Sequence, residues 1–389
     1  MRSRKDALKK LFCIIFGLVV VMSCGTRQSR IDKIYEGGVE VVLNHLEPYT
    51  LKGGPVHLRL ENDITIDLEK EEYSGLAVKM PEFVEADSKG NIFIAERYGA
   101  AEYFINKFDS NGKFLKKIGK KGQGPGEIQG VRTLLVDGHD RIRIFDGNAL
   151  KVVDFDSEGN LIKETRIPHG LTFVIPLANG NYLAMRYPKD KSETYGMYLD
   201  LYDPDFKEIK KLDVFDMSDL TPGKKNHGLI VPFYWRVSGE RIFVGNGQRG
   251  YEIQVFDLEG KLLRKIRKEY KPVQYPEEFR KQTERIIAAN PGANLYVIKN
   301  MPPFNSFFID NGGRLFVMTY EQGGNKDEFI HDIFNPDGVF IGRVSLGKYG
   351  ILGRALNHLN ATAVNGRFYS LTFKESGYPE VIVYRMEWQ

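Results

Sequence analysis

The side chains best suited to chemistry in this sequence of 389 residues are arginines and aromatic residues, without a paired acid and base beside them. They fall between short β-rich runs, in segments that vary in length and composition. A guanidinium group binds carboxylates and phosphates through paired hydrogen bonds, and an aromatic ring packs on the apolar face of a ligand. We predict a ligand-binding rim formed by Arg97, Arg132, Arg186, Tyr234, Trp235, Arg236, Arg249, Asn305 and Tyr320.

Histidines could offer metal chemistry, but the spacing of the seven histidines does not favour a metal site. None forms a His-x-His pair or a His-Glu-x-x-His motif, which would place two ligands on one metal. His169 and His358 fall near predicted links between repeats and are the candidate ligands, although no metal or other cofactor is predicted. The glycine-rich run at residues 119–126 lacks the Gly-Lys-Ser/Thr end of a phosphate loop, and there is no Gly-x-Ser-x-Gly elbow. The sequence therefore identifies no catalytic residue.

A repeat of β-structure positions these candidates. An Asp/Asn/Gly turn followed by a β-rich run begins near residues 87, 137, 178, 238, 310 and 364. A further strand ending in an Asp or Asn turn follows in five of the copies, at residues 109, 156, 203, 257 and 335. Because Asx and Gly residues supply the backbone conformations of tight hairpins, each unit is expected to hold two hairpins, which is four strands.

Four-stranded sheets of this kind bury both faces by stacking radially about an axis. The predicted fold class is all-β, a six-bladed β-propeller of four-stranded antiparallel blades over residues 56–389. The last copy, residues 355–389, holds only three strands, and a strand near residues 61–68 is expected to supply the fourth and close the ring. The links between blades and the middle turns, which carry the rim residues, are expected to share one face of the propeller.

One repeat is longer than the others and predicts an insertion at about residues 271–303. Within it, Pro276 and Glu277 are typical of the start of a helix, and Phe279, Ile286 and Ile287 share one helical face. The sequence at residues 290–292, Asn-Pro-Gly, would end the helix. We predict one short helical insertion between blades 4 and 5, and a disordered loop is the alternative.

The amino-terminal segment has the pattern of an export signal. Basic residues are followed by an apolar run from Leu11 to Met22 and then by Ser23 and Cys24. The run is shorter than the roughly 20 residues that span a membrane, and small residues at its end are typical of a cleaved signal. Residues 21–24 resemble a lipobox, which implies cleavage before Cys24 and lipidation of its thiol. The alternatives are a plain signal peptide or a buried helix.

The predicted organisation is a signal peptide at residues 1–23, a tether at 24–55 and the propeller from 56 onwards. The chain has 55 Lys and Arg against 51 Asp and Glu, but five of the bases and one of the acids lie in the signal. The mature chain is therefore neutral, which argues against a nucleic-acid partner. Cleavage leaves Cys24 as the only cysteine, so no disulfide is expected. We expect a monomer.

A family resemblance rests on these features. Residues 119–128 (GKKGQGPGEI), followed by a strand and an Asp turn, look like the link of an NHL-type repeat. Together with the lipobox, the six units and the helical insertion, the chain resembles the six-bladed propeller lipoproteins of Bacteroidetes over residues 56–389. The resemblance implies a TolB-like or NHL-like propeller, a fold that hosts lyases, hydrolases and binding modules.

Three functions follow as hypotheses. The leading one is a lipid-anchored binding or scaffold module of the cell envelope that binds a small ligand, a glycan or an envelope protein. The alternative is a metal-assisted lyase or hydrolase at the mouth of the central channel, and the third is a purely structural envelope component. Residues 25–27 carry no acidic run of the kind found on surface-exported lipoproteins, which favours an outer-membrane anchor facing the periplasm.

Overall fold

The computed structural model describes residues 31–49, 57–76, 78, 81–96, 104–220, 233–293, 296–324, 328–347 and 361–389. The predicted signal at residues 1–23 and the lipidation site Cys24 lie outside these ranges. Within the described residues, no helix has the length and apolarity needed to cross a bilayer.

Six antiparallel four-stranded units make up the fold, and they follow one another along the chain. Three strands, β1 (Asp32–Glu36), β2 (Val39–Asn44) and β3 (Leu58–Asp67), precede blade 1. Blade 1 comprises β4 (Pro81–Ala86), β5 (Ile92–Glu96), β6 (Ile105–Phe108) and β7 (Phe114–Ile118). The link to the next blade contains a short parallel pair, β8 (Lys120–Lys121) and β9 (Glu127–Ile128).

The next three blades follow the same order. Blade 2 comprises β10 (Val131–Val136), β11 (Ile142–Asp146), β12 (Lys151–Phe155) and β13 (Leu161–Arg166). Blade 3 comprises β14 (Leu171–Pro176), β15 (Tyr182–Arg186), β16 (Gly196–Tyr202) and β17 (Glu208–Asp216). Blade 4 comprises β18 (Phe233–Ser238), β19 (Arg241–Asn246), β20 (Glu252–Phe256) and β21 (Leu262–Lys268).

Blade 5 comprises β22 (Ser306–Ile309), β23 (Leu315–Gln322), β24 (Glu328–Phe334) and β25 (Phe340–Gly347). Blade 6 comprises β26 (Ala361–Val364), β27 (Arg367–Phe373) and β28 (Pro379–Trp388), together with β3. The predicted six-bladed all-β fold is confirmed.

The recurring Asx turns form the hairpins as the sequence predicts. In blade 1, the Oδ1 atom of Asp87 accepts hydrogen bonds from the backbone N–H groups of Lys89 (3.0 Å) and Asn91 (2.8 Å). Gly90 in this turn has a φ of 80°, a conformation that glycine adopts without steric cost. The side chain of Asp137 accepts the equivalent pair of bonds in blade 2. One local motif therefore fixes the strand register blade after blade.

Strand β3 closes the ring. It pairs antiparallel with β28, from Leu58 opposite Trp388 to Asp67 opposite Glu380. Backbone hydrogen bonds of 2.9 and 2.8 Å between His57 and Gln389 extend the pairing. The strand expected near residues 61–68 is thus present and starts three residues earlier. Because β3 and the last three strands form one blade, the ring is closed and its first and last blades are not left with unpacked faces.

The expectation of a tether over residues 24–55 is wrong between Asp32 and Asn44. Strands β1 and β2 form a hairpin, and β2 pairs in parallel with β21, so that blade 4 becomes a six-stranded sheet. Asn44 holds the hairpin in place, because its side-chain amide donates to the carbonyls of Arg267 and Gly338 and its oxygen accepts from Phe340 N–H. Burial of apolar side chains of β2 drives the docking.

The predicted insertion contains a helix, α1 (Glu277–Ala289), between β21 of blade 4 and β22 of blade 5. Pro276 stands at its amino end, as the sequence predicts. Its packing is lighter than expected, because Ile286 on the predicted apolar face is 47% exposed. Four short 3-10 helices complete the described structure: Glu71–Leu76, Ser218–Leu220, Gly247–Arg249 and Pro291–Ala293.

Candidate functional site

A channel runs along the axis of the propeller, inside a ring formed by the first strand of each blade. These strands are β4, β10, β14, β18, β22 and β26, and each lies at one edge of its sheet. Neighbouring members approach one another, as β26 does with β4 and β4 with β10. Side chains on these six strands therefore meet at the axis although they are far apart in sequence.

The described part of the channel contains about 630 Å³ of space outside protein atoms, counting the part open to solvent. The centres of water-sized molecules can occupy about 80 Å³ of it. Most of the wall is apolar, and two charged side chains project into it. The lining residues are Phe83, Glu85, Thr133, Leu134, Leu135, Phe173, Ile175, Trp235, Arg236, Val237 and Ala361.

The two charged residues, Glu85 and Arg236, occupy equivalent positions in their blades. Glu85 pairs with Phe93 across the first hairpin of blade 1, and Arg236 pairs with Phe243 across the first hairpin of blade 4. In both blades the phenylalanine is the second residue of an Ile-Phe sequence. Blades 1 and 4 lie opposite each other in a ring of six, so the carboxyl and the guanidinium approach the channel from opposite sides.

Burial changes the acid–base properties of both groups. It raises the pKa of Glu85 to about 8, against the opposing effects of the Arg236 charge and a hydrogen bond with the Thr362 side chain. It lowers the pKa of Arg236 to about 10. Both side chains are only half-buried by accessible surface, because their exposed atoms face the channel rather than bulk solvent. Glu85 is therefore mostly neutral at pH 7, while Arg236 stays charged.

Within the described part of the chain, Arg236 makes one hydrogen bond, from Nη1 to the carbonyl oxygen of Trp235 at 2.8 Å. It forms no ion pair within 4.0 Å among the described residues, and the charge of Glu85 acts on it across the channel. Thr133 also faces this space, and its buried hydroxyl oxygen has no hydrogen-bond partner in the described part of the chain. A charged donor and a hydroxyl are thus available to a guest molecule.

Two of the predicted rim residues, Trp235 and Arg236, line the channel, whereas a group of three more, Tyr234, Asn305 and Tyr320, is not part of its lining. Trp235 lines the channel but is only 1% exposed, because its ring packs on Phe173 and Phe233. Burial raises the pKa of Tyr234, and the charge of Arg236 opposes that rise, which places the two side chains near each other. A side-chain hydrogen bond joins the other two rim residues of this group, Asn305 and Tyr320, beside Tyr234.

Two other predicted rim residues, Arg186 and Arg249, form ion pairs within the fold. Arg186 is 4% exposed and pairs with Asp200 (2.6 Å) and Glu193 (2.6 Å). Arg249 pairs with Asp213 at 2.7 Å and with Glu252 at 3.3 Å. Both arginines therefore form ion pairs with carboxylates of their own or a neighbouring blade, and neither lines the channel.

Of the remaining predicted residues, two lie in the described part of the chain and two do not. Arg132 is half-buried and packs against Gly147, where an added Cβ would lie 2.3 Å from the Cγ of Arg132. His169 is exposed at the surface of the link between blades 2 and 3. Arg97 and His358 lie outside the described residues. Within the described ranges, no three His, Cys, Asp or Glu side chains converge as they would around a metal ion.

Glu85 is the functional candidate that the sequence analysis missed. The available signal was an acidic residue among apolar neighbours, in Phe83-Val84-Glu85-Ala86, just before the first Asx turn. The innermost position of that strand follows from the propeller topology. A charge placed there must face the channel or a neighbouring blade.

Comparison with known proteins agrees with this architecture. Residues 78–235 match a family model, DUF5128, described as a 6-bladed beta-propeller. No curated protein matches the chain. A Bacteroides fragilis protein described as exported has a TM-score of 0.51 at 14% identity, and the match covers 90% of this chain and 99% of that one.

A Bacteroides vulgatus member of the duf4221 family has a TM-score of 0.52 at 13% identity, with 86% of this chain and 100% of that chain covered. At these identities the likeness concerns the fold, and activity has to be argued from the site. The chain is a six-bladed β-propeller with the fold of these two Bacteroides proteins.

Proposed function

We propose that this protein is an exported binding protein that holds a small ligand in the central channel of its propeller. The observation that carries the proposal is Arg236, a charged group in a mainly apolar channel that forms no ion pair within 4.0 Å among the described residues. Burying an unpaired charge costs several kcal/mol, so a fold that keeps one in a cavity gains when a ligand supplies the counter-charge.

The proposal includes export and a lipid anchor at Cys24, on an outer membrane with the domain facing the periplasm. The support for this part is the signal-like pattern of residues 1–24. The similar protein of Bacteroides fragilis is itself described as exported.

Binding is better supported than catalysis. An acid–base enzyme would place two groups that titrate near neutral pH on either side of the reacting atoms. Among the described channel residues, Glu85 alone has its pKa shifted into that range. Arg236 titrates at about 10, and burial raises the pKa of Tyr234 above its ordinary value of 10.0.

A thermal-shift screen tests the proposal. Residues 25–389 are heated with sugars, amino acids, nucleotides and organic acids, one compound at a time. A ligand of the folded state should raise Tm progressively with concentration, and at 100 times its Kd it adds about 2.7 kcal/mol of stability. Leu135→Trp, which fills the channel, should abolish that shift.

Leu115→Trp is the matched control, because Leu115 is 45% exposed on β7, away from the channel. This variant should keep the shift. A ligand that stabilises the Leu135→Trp protein as strongly as the wild type would show that the channel is not the binding site. If no compound of the panel raises the Tm of the well-folded protein, the small-ligand function is contradicted and binding of a partner protein remains.

A further inference from the structure

We propose that the ligand of the channel is an organic monocarboxylate with an apolar body, whose carboxylate is bound by Arg236 and by the carboxyl of Glu85 opposite. This inference rests on the proposed binding function and names the chemical class of the ligand.

Three other arginines of the fold differ from Arg236 in their ion pairs. Arg186, Arg267 and Arg343 each bind two carboxylates of the fold. Among the described residues, the guanidinium of Arg236 instead donates one hydrogen bond, to the carbonyl of Trp235, and the side chain lines the channel. A planar guanidinium binds a carboxylate through two parallel hydrogen bonds. A ligand carboxylate would therefore form at Arg236 the ion pair that carboxylates of the protein form with the other arginines.

Glu85 does not repel such a ligand. Since burial raises its pKa to about 8, its carboxyl carries a proton at pH 7 and can donate a hydrogen bond. The neighbouring group on blade 6 is the Thr362 hydroxyl, which is neutral. Apart from Glu85 and Arg236, the charged side chains on the six inner strands are Glu82 and Arg132, and neither lines the channel. The described lining is therefore net positive at neutral pH and favours an anion.

The rest of the ligand must be apolar. Between the two polar groups the wall consists mainly of Phe83, Leu135, Phe173, Ile175 and Val237. A sugar or a nucleotide would leave many hydroxyl or phosphate groups without partners on such a wall. An aromatic or aliphatic acid places its single charged group at Arg236 and its body on these side chains.

Calorimetric titration with matched acids and amides tests this inference. The probes are benzoate, phenylacetate, 3-phenylpropionate and indole-3-acetate, each compared at pH 7 with its primary amide. The acids should bind at least about tenfold more tightly than the amides, which keep the shape and lose the charge. Arg236→Gln should erase that preference, and Arg236→Lys should retain part of it, because an ammonium keeps the charge without the fork geometry.

Two further variants complete the design. Arg166→Gln, at an exposed arginine of β13, is the control and should bind as the wild type does. Glu85→Gln keeps a neutral donor, so it should bind within about threefold of wild type at pH 7. Above pH 8 the wild-type affinity should fall by up to about tenfold per pH unit as Glu85 ionises, and the Glu85→Gln affinity should not.

The possible results distinguish the monocarboxylate ligand from the more general claim that the channel binds a ligand. Amides or neutral compounds that bind as well as acids, with binding abolished by Leu135→Trp, would overturn the monocarboxylate and leave the channel as the ligand site. Acids that bind equally well to Arg236→Gln would also overturn it. Failure of every acid to bind overturns it as well, and the thermal-shift panel then shows whether the channel binds another class.

Discussion

Arg186→Ala should lower the free energy of unfolding by about 3–5 kcal/mol, the cost of leaving a buried carboxylate without its partner. Asp200 is 0% exposed, and its Oδ2 atom lies 2.6 Å from Nε of Arg186. The same guanidinium binds Glu193 through both terminal nitrogens and stacks over the Tyr198 ring at 4.2 Å. Removing it leaves the Asp200 charge inside blade 3.

Urea unfolding followed by circular dichroism measures the effect. Arg166→Ala, at an exposed position of β13, should change stability by less than about 0.5 kcal/mol. The double variant Arg186→Met with Asp200→Leu should recover much of the loss, because no buried charge remains. A stable Arg186→Ala protein that has lost ligand binding would reverse the conclusion and restore Arg186 to the binding rim.

Glu85→Gln should make the protein more stable at pH 8 and leave its stability unchanged near pH 4. The folded-state pKa of Glu85, about 8, exceeds its ordinary value of 4.5, so the folded protein holds a proton that the unfolded chain releases. This contribution is fully present below pH 4.5 and is lost as the pH rises to 8. Allowing for water in the channel, the loss amounts to about 2–4 kcal/mol.

The measurement is the difference in unfolding free energy between wild type and Glu85→Gln at several pH values from 4 to 8.5. The difference should grow steadily above pH 4.5, and the exposed-site variant Glu61→Gln should show no such growth. Arg236 and the Thr362 hydroxyl face the same carboxyl and are unchanged in both proteins. A difference that does not vary with pH would mean that Glu85 is ionised in the folded state and does not act as a neutral donor.

The fold could be predicted because its determinants are local and repeated. The turn around Asp87 contains its own hydrogen-bond partners within four residues, so the sequence shows it directly. Counting such turns gave the number of blades, and the shortage of strands in the last copy indicated where the closing strand β3 lies. The hairpin β1–β2 also had a local signal, Gly37-Gly38 with φ of 56° and 82°, which the sequence analysis did not use.

The site could be predicted only in part, because its determinants are distant in sequence. Arg186 and Arg236 look alike in sequence, both lying in β-rich runs beside aromatic residues. What separates them is a carboxylate 14 residues away on the next strand for Arg186 and the absence of one among the described neighbours of Arg236. The role proposed for Glu85 depends on its position opposite Arg236, and the two residues reach one channel only because the blades form a ring.

The emission of Trp235 is the most direct test of the claim that the channel is the binding site. The chain has two tryptophans, and Trp388→Phe leaves Trp235 in the channel wall as the only one. The compound with the largest thermal shift is titrated into this variant, and calorimetry on the same protein confirms that it binds. We predict a saturable change in Trp235 emission with the calorimetric Kd. Unchanged emission from a protein that calorimetry shows to be saturated would contradict binding in the channel.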